Sequence, residues 1–223
     1  LAIVLGLKNR NKDEKTKNVV LIWAAILIDL FEIVKIILGS IDNPTYWQVS
    51  LPLFLCSVQL VTIPLAAFAK GRLKEVALDF VFIFFFFVGI LGTVGAAQNY
   101  NAYPAFSWPN FVSSTTHTIS AFASLYIVIS SFQSMKKKNI YISCIIVAVF
   151  SIIAYIANII LDYNYMFLMR SDGTPYEMFY QLVNGNKVLY PMIVVGLFFL
   201  YIAIFHLIYN LIINKIRKTK ELS

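Results

Sequence analysis

The sequence predicts an all-α fold, a polytopic membrane helix bundle, from its composition and from six long apolar segments. Hydrophobic residues make up 60% of the 223 residues and charged residues 13%, whereas ordinary globular domains hold about 45–50% and about 25%. A stretch of about 20 apolar residues crosses the hydrocarbon core as a helix. We place six complete transmembrane helices, in a single domain over 1–223, near 18–39, 49–69, 74–97, 111–133, 139–164 and 187–213.

The segment that precedes these six is also apolar. Leu1 to Leu7 run directly into the basic stretch 8–17, so we expect them to be the end of a seventh spanning helix. The alternative is a short amphipathic or disordered leader.

The connections between the segments alternate in charge. Lys and Arg are concentrated in 8–17, 70–74, 136–138 and 215–220, whereas 40–48 and 98–110 contain no basic residue. Because basic connections stay on the cytoplasmic side, we expect a multi-pass protein of the cell membrane with a cytoplasmic C-terminus. The net charge of +7 is thus explained by orientation. No basic stripe is interleaved with exposed aromatics, so nucleic acid is not an expected partner.

Two outer features have more than one interpretation. Gly89, Gly92 and Gly95 lie three apart in the third segment, a spacing that favours close helix packing over a substrate groove. The connection 165–186 contains a turn sequence at 172–175. It is either a lid over the outer mouth or a solvated connection.

Three reactive side chains lie at one predicted depth. Glu32, Cys56 and His117 each lie about six or seven residues inside the same end of a different segment, which is roughly 10 Å below one membrane face. Ionisable residues within membrane segments usually mark functional sites. A thiol, an imidazole and a carboxylate at one level therefore predict a site.

Each of these residues also has a purely structural interpretation. A buried Cys acts by default as a small hydrophobe, but an imidazole can activate it as a nucleophile. His117 is either that base or a neutral side chain hydrogen-bonded between helices. Glu32 and Lys35 are three apart and can form an ion pair, or they can bind a polar headgroup. The candidate substrate-binding residues are Glu32, Lys35, Gln59, Asn158, Asp162 and Asn164.

No metal or other cofactor is expected. The two cysteines, Cys56 and Cys144, both lie in apolar segments. No CxxC motif or His/Cys cluster with the spacing of a metal site accompanies them.

Two short motifs resemble those of the YwaF-like integral membrane proteins. The stretch Leu51-Pro52-Leu53-Phe54-Leu55-Cys56 is similar to that family's Leu-Pro-Leu-His-Leu-Cys signature. The stretch Asn164-Tyr165-Met166-Phe167-Leu168 is similar to its Asn-Tyr-Met-Tyr-Leu motif. A single His in the helix after the glycine-bearing segment, here His117, also matches. The resemblance covers about residues 20–213.

The resemblance implies a seven-helix bundle and an enzymatic chemistry. It relates the chain to an animal membrane protein family thought to transfer acyl groups onto lyso-ether phospholipids, with the motif cysteine, here Cys56, carrying the acyl group. The chain departs from the motif at Phe54, where the family has His. If that His is the base, the chain has lost it; if the later His serves, His117 remains available.

Three functions are therefore open. The first is a membrane-embedded acyltransferase-like protein that acts on membrane lipids from an outward-facing pocket through Cys56 and His117. The second is a small-solute binding or transport subunit in which Cys56 is inert. The third is a structural partner of an unidentified membrane protein. The first predicts that the Cys56 sulfur and a His117 nitrogen lie within about 5 Å of each other, with Glu32 facing the same cavity.

Overall fold

The described part of the chain is all-helical, which confirms the predicted fold class there. The computed structural model describes residues 1–84, 104, 106–132 and 135–221, with the backbone alone over 216–221. The chain forms two compact units, 1–134 and 135–223. Unit 1 contains α1 (Ala2–Asn9), α2 (Glu14–Asp42), α3 (Tyr46–Val49), α4 (Gln59–Phe68), α5 (Gly71–Ile83) and α6 (Trp108–Ile129). Unit 2 contains α7 (Ile140–Leu161), α8 (Glu177–Leu182) and α9 (Leu189–Glu221).

Three of the described helical stretches are long and apolar enough to cross a membrane. They are Trp108–Ile129, Lys137–Leu161 and Leu189–Lys215. Six complete transmembrane helices are therefore not confirmed. Helix α2 has the length, since it holds 29 residues, but Asp29, Glu32 and Lys35 interrupt its apolar character.

The second predicted span differs from the structure in its extent, and the third is described only in part. Leu55–Phe68 is a shorter apolar helical stretch, and α5 is described only as far as Ile83. The rest of the predicted third span lies outside the described residues, and so do Gly89, Gly92 and Gly95.

The predicted helix over 49–69 is wrong in its first half. Helix α3 ends at Val49, residues 50–54 are not helical, and a 3-10 turn at Leu55–Val58 leads into α4. Pro52 explains the break, because proline has no N–H to donate and disfavours helical geometry at the preceding residue. The amide of Leu53 instead donates to the carbonyl of Leu51 at 2.7 Å. Cys56 therefore lies in a tight turn and not inside a long helix.

The core of unit 1 is built largely from small side chains. Helix α2 packs against α4 and α6, and α5 packs against α4 and α6. Small residues let membrane helices approach closely. The buried alanines of this core are Ala24, Ala25, Ala66, Ala67, Ala77 and Ala123. Helix α1 also approaches α6 closely, since a Cβ added at Gly6 would lie 2.8 Å from Ile129 Cβ.

Polar side chains join the helices of unit 1 at one end. Asn9 Nδ2 donates to the Tyr126 hydroxyl at 3.0 Å, and that hydroxyl donates to the carbonyl of Lys17 at 3.1 Å. Lys74 Nζ donates to Asn18 Oδ1 at 2.9 Å. The basic stretches 8–17 and 70–74 therefore meet at this end, which we call the basic end.

Unit 2 is organised by α7 and α9, which pack against each other. The connection between α7 and α8 is irregular and partly buried. Non-glycine residues adopt positive φ there at Asp162, Met166, Phe167 and Asp172. Tyr165, Met166 and Leu168 are nevertheless fully buried, so this connection is a folded part of the unit.

Candidate functional site

Four of the predicted site residues lie on neighbouring elements of unit 1. Glu32 and Lys35 lie on α2, Cys56 lies in the 3-10 turn before α4, and His117 lies on α6. Because α2 packs against both α4 and α6, it brings its own side chains between the other two elements. Cys56 and His117 are half-buried, and Glu32 is buried.

An ion pair joins two residues of this group. Lys35 Nζ lies 2.5 Å from Glu32 Oε1 within one turn of α2, and the two side chains are 17% and 11% exposed. A charge removed from water is tolerated when an opposite charge neutralises it. The pair therefore keeps an ammonium and a carboxylate in an otherwise apolar part of the protein.

The ammonium of Lys35 contributes to the electrostatic environment of both the thiol of Cys56 and the imidazole of His117. Glu32 acts on Cys56 as well. The sequence predicted only that Lys35 pairs with Glu32 or binds a headgroup. Spacing along one helix does not show which residues of other helices Lys35 meets.

The local backbone orients the thiol. The amide of Ser57 donates to the carbonyl of Phe54 at 2.9 Å, and the Ser57 side chain is a hydrogen-bond partner of the Cys56 thiol. Within the described residues no hydrogen bond joins Cys56 to His117. Their predicted approach within about 5 Å stays a prediction.

Gln59 is used inside unit 1 to connect helices. It is fully buried, its Nε2 donates to the carbonyl of Val81 at 3.3 Å, and its Oε1 accepts from Thr62 Oγ1 at 3.0 Å. Ser124 Oγ donates to the same Val81 carbonyl at 2.7 Å. These bonds link α4, α5 and α6. They use the side-chain amide of Gln59, which the sequence predicted to bind substrate.

Asn158 holds the backbone that follows α7. Its Nδ2 donates to the carbonyl of Tyr165 at 3.0 Å, and its Oδ1 accepts from the amide of the same residue at 2.6 Å. Asp162, by contrast, is exposed and ends α7 in the left-handed conformation, with φ of 49°.

Asn164 organises the next part of the same connection. Its Nδ2 donates to the Arg170 carbonyl at 2.8 Å and to Asp172 Oδ2 at 2.7 Å. Its Oδ1 accepts from the amides of Met169 at 2.9 Å and Arg170 at 3.2 Å. Asn158, Asp162 and Asn164 thus belong to unit 2, where both asparagines satisfy irregular backbone.

The long apolar helices of both units define the class of the chain as an integral membrane protein. Residues 1–214 match the model of the TMEM164 family. The chain belongs to the TMEM164 family. No curated protein and no solved structure matches it.

Proposed function

We propose that the chain is a membrane-embedded, acyltransferase-like protein that acts on membrane lipids, with Cys56 as the acyl carrier. The observation that carries the proposal is that the buried ion pair of Lys35 and Glu32 lies on α2, which packs against α4, the helix that follows Cys56, and against α6, the helix that holds His117. The motif around Cys56 supports the same chemistry through its resemblance to the signature of the YwaF-like proteins.

In the first half of the reaction the thiol attacks a lipid ester. A half-buried thiol keeps its proton, so a base has to remove it during attack. His117 accepts the proton, the Cys56 sulfur forms a bond to the acyl carbon, and the ester C–O bond breaks. The leaving lysolipid oxygen takes the proton from His117. The products are a lysolipid and an acyl thioester on Cys56.

In the second half a lipid hydroxyl resolves the thioester. His117 accepts the hydroxyl proton, the hydroxyl oxygen bonds to the acyl carbon, and the C–S bond breaks. The departing sulfur recovers the proton from His117, which restores the thiol. No nucleotide is consumed, because one ester is exchanged for another and the donor is a lipid already in the membrane.

Lys35 has a defined part in both halves. Each attack creates a tetrahedral oxyanion, and a fixed positive charge in a water-poor site stabilises such an anion strongly. Glu32 holds the ammonium in place through the 2.5 Å ion pair. Catalytic hydrogen bonds often form only in the substrate complex, so lipid binding has to bring His117 and Cys56 into contact.

The site lies away from the basic end of unit 1, near the other end of α2. If the basic end faces the cytoplasm, as basic connections do, the site opens to the outer leaflet. The lipid partner is then a phospholipid of that leaflet, and the acceptor implied by the resemblance is a lyso-ether phospholipid.

Intact-protein mass spectrometry of the membrane-purified chain tests the acyl carrier directly. The wild-type protein should carry an acyl-sized mass that neutral hydroxylamine removes. Cys56→Ala should lack that mass, and Cys144→Ala should keep it. Cys144 is a matched control, because it is the other half-buried free cysteine.

Activity is tested in proteoliposomes that contain an isotope-labelled diacyl phospholipid and an unlabelled lyso-ether phospholipid. Labelled acyl groups should appear on the ether lipid with wild type and Cys144→Ala, and should not with Cys56→Ala or His117→Gln. Transfer that persists in Cys56→Ala contradicts the proposed carrier. An unmodified protein without transfer, together with a small molecule retained on purification, would instead support solute binding.

A further inference from the structure

The short helix α8 exposes its large apolar side chains while its acidic residue is held against the protein. Met178 and Leu182, one turn apart, are 66% and 74% exposed. Glu177 and Gln181, also one turn apart, hydrogen-bond to each other at 2.9 Å. The Glu177 carboxylate also accepts from the hydroxyl of the buried Ser171. The acid therefore turns back onto the protein while the apolar side chains point outward.

This outward apolar face continues into a membrane-spanning helix. Val188 is 63% exposed, and Leu189 and Met192, at the start of the span Leu189–Lys215, are 51% and 65% exposed. Single exposed apolar residues are ordinary on protein surfaces. Only the polar stretch 184–187 separates this face along the chain from the apolar start of the span, which supports a shared lipid environment.

Tyrosines cluster at the same level of unit 2. The rings of Tyr180 and Tyr190 meet edge to face with centroids 5.0 Å apart, and the Tyr155 hydroxyl donates to the carbonyl of Lys187 at 2.8 Å. Tyrosine is enriched where a bilayer meets water. Tyr190 itself is buried, so the half-buried Tyr155 and Tyr180 are the tyrosines that favour an interfacial level for this part of the unit.

The orientation of α8 is fixed by the chain on both of its sides. On the N-terminal side, Thr174 Oγ1 donates to the Ser171 carbonyl at 2.6 Å. On the C-terminal side, Gly185 has φ of 63°, and a Cβ added there would lie 2.7 Å from the Tyr180 hydroxyl oxygen. A helix held at both ends cannot rotate to bury Met178 and Leu182.

We propose that α8 lies in the bilayer interface, with Met178 and Leu182 inserted at the boundary between headgroups and acyl chains. The partner is the phospholipid surface itself. Interfacial helices bury their apolar face about 5–10 Å into this boundary. The connection between α7 and α9 is then a membrane-bound surface element, a property that holds whether or not the chain transfers acyl groups.

Spin labels at single cysteines test this placement. Met178→Cys, Leu182→Cys and the control Gln181→Cys are made in a full-length background with Cys56→Ser and Cys144→Ser, and are reconstituted into phosphatidylcholine vesicles. Gln181 is exposed on the same helix. Labels at 178 and 182 should collide more often with oxygen than with the water-soluble nickel complex, at a depth of about 5–10 Å, and the order should reverse at 181.

Two results overturn the proposal. One is nickel-dominated collision at both 178 and 182, which would place the helix in water. The other is low collision with both reagents, which would mean that a protein surface, such as a second copy of the chain, covers the face. Photolabelling of the wild-type protein with a lipid-soluble diazirine gives the same decision without substitutions, since it should label the peptide that contains α8.

Discussion

Replacing Asn158 by leucine separates a structural function from the substrate-binding function predicted by the sequence. Asn158 is 1% exposed, and its amide satisfies both the N–H and the carbonyl of Tyr165. Leucine has a similar volume and offers neither a donor nor an acceptor. The substitution therefore leaves two buried backbone groups without partners.

The magnitude follows from those two groups. A buried polar group that loses its partner costs about 1–3 kcal/mol. Two such groups should lower the free energy of unfolding by about 2–6 kcal/mol, a loss at the upper end of what single substitutions usually produce.

The free energy of unfolding is measured by titration with SDS in mixed micelles. Asn210→Leu is the matched control, because Asn210 is only partly buried and donates to the carbonyl of His206 on its own helix at 2.7 Å. That substitution should change the stability by no more than about 0.5 kcal/mol. In Asn158→Leu, trypsin should also cleave faster at the exposed Arg170, since the connection that Asn158 fixes is released.

A different outcome would refute this reasoning. If Asn158→Leu loses no more stability than Asn210→Leu, the two hydrogen bonds to Tyr165 do not hold the connection. If it also abolishes acyl transfer at unchanged stability, the residue binds substrate as the sequence first indicated.

Three further substitutions test the polar contacts of unit 1. Lys35→Met leaves the Glu32 carboxylate without its ammonium and should lower the free energy of unfolding by about 3–5 kcal/mol. Adding Glu32→Gln in the double variant should recover most of that loss. No recovery would contradict the importance of the ion pair. Tyr126→Phe removes the hydroxyl that joins Asn9 to α2 and should cost about 1–3 kcal/mol in the same SDS titration, and an unchanged midpoint would show that this link is dispensable. Asp13 is the N-cap of α2, and a hydrogen bond from the Thr16 hydroxyl lowers the pKa of its carboxyl. The contribution of Asp13 to stability is therefore complete at neutral pH. It is lost when acid protonates the carboxylate, at a pH below the ordinary range of a carboxyl. Asp13→Asn caps without titrating and should weaken the acid sensitivity of helicity measured by circular dichroism, whereas an identical acid response would exclude the cap as its cause.

The length of the apolar segments predicted the presence of helices better than it predicted the residues at which they begin. The predicted 111–133 and 139–164 correspond to Trp108–Ile129 and Ile140–Leu161, because uninterrupted apolar runs in these segments form regular helices. The predicted helix over 49–69 does not correspond to one helix of the structure. Hydropathy measures burial in lipid and is nearly insensitive to one proline. Pro52 was visible in the sequence, and its effect on backbone hydrogen bonding could have placed the break.

The site was predictable in its residue types and less so in its partners. Equal depth selected Glu32, Cys56 and His117, and all three lie in unit 1; that they form one site stays a prediction. Sequence reasoning could not reveal that Lys35 contributes to the electrostatic environment of both the thiol and the imidazole, because that depends on how helices face one another. It also assigned Asn164 to substrate, because an amide that hydrogen-bonds the backbone of Met169 and Arg170 looks the same in sequence as one that binds a ligand.

The two ends of unit 1 differ in how firmly the helices are joined. This difference favours the entry of a lipid at the end opposite the basic end, where the proposed site lies. At the basic end, Asn9 and Tyr126 form hydrogen bonds that run from α1 through α6 to α2. At the other end, α2 and α6 meet through the rings of Phe31 and Phe111, whose centroids are 6.1 Å apart. An apolar contact can be exchanged for an acyl chain at little cost, whereas a buried hydrogen bond cannot. A lipid that reaches Cys56 should therefore separate α2 from α6 at the aromatic contact while the basic end holds the helices together.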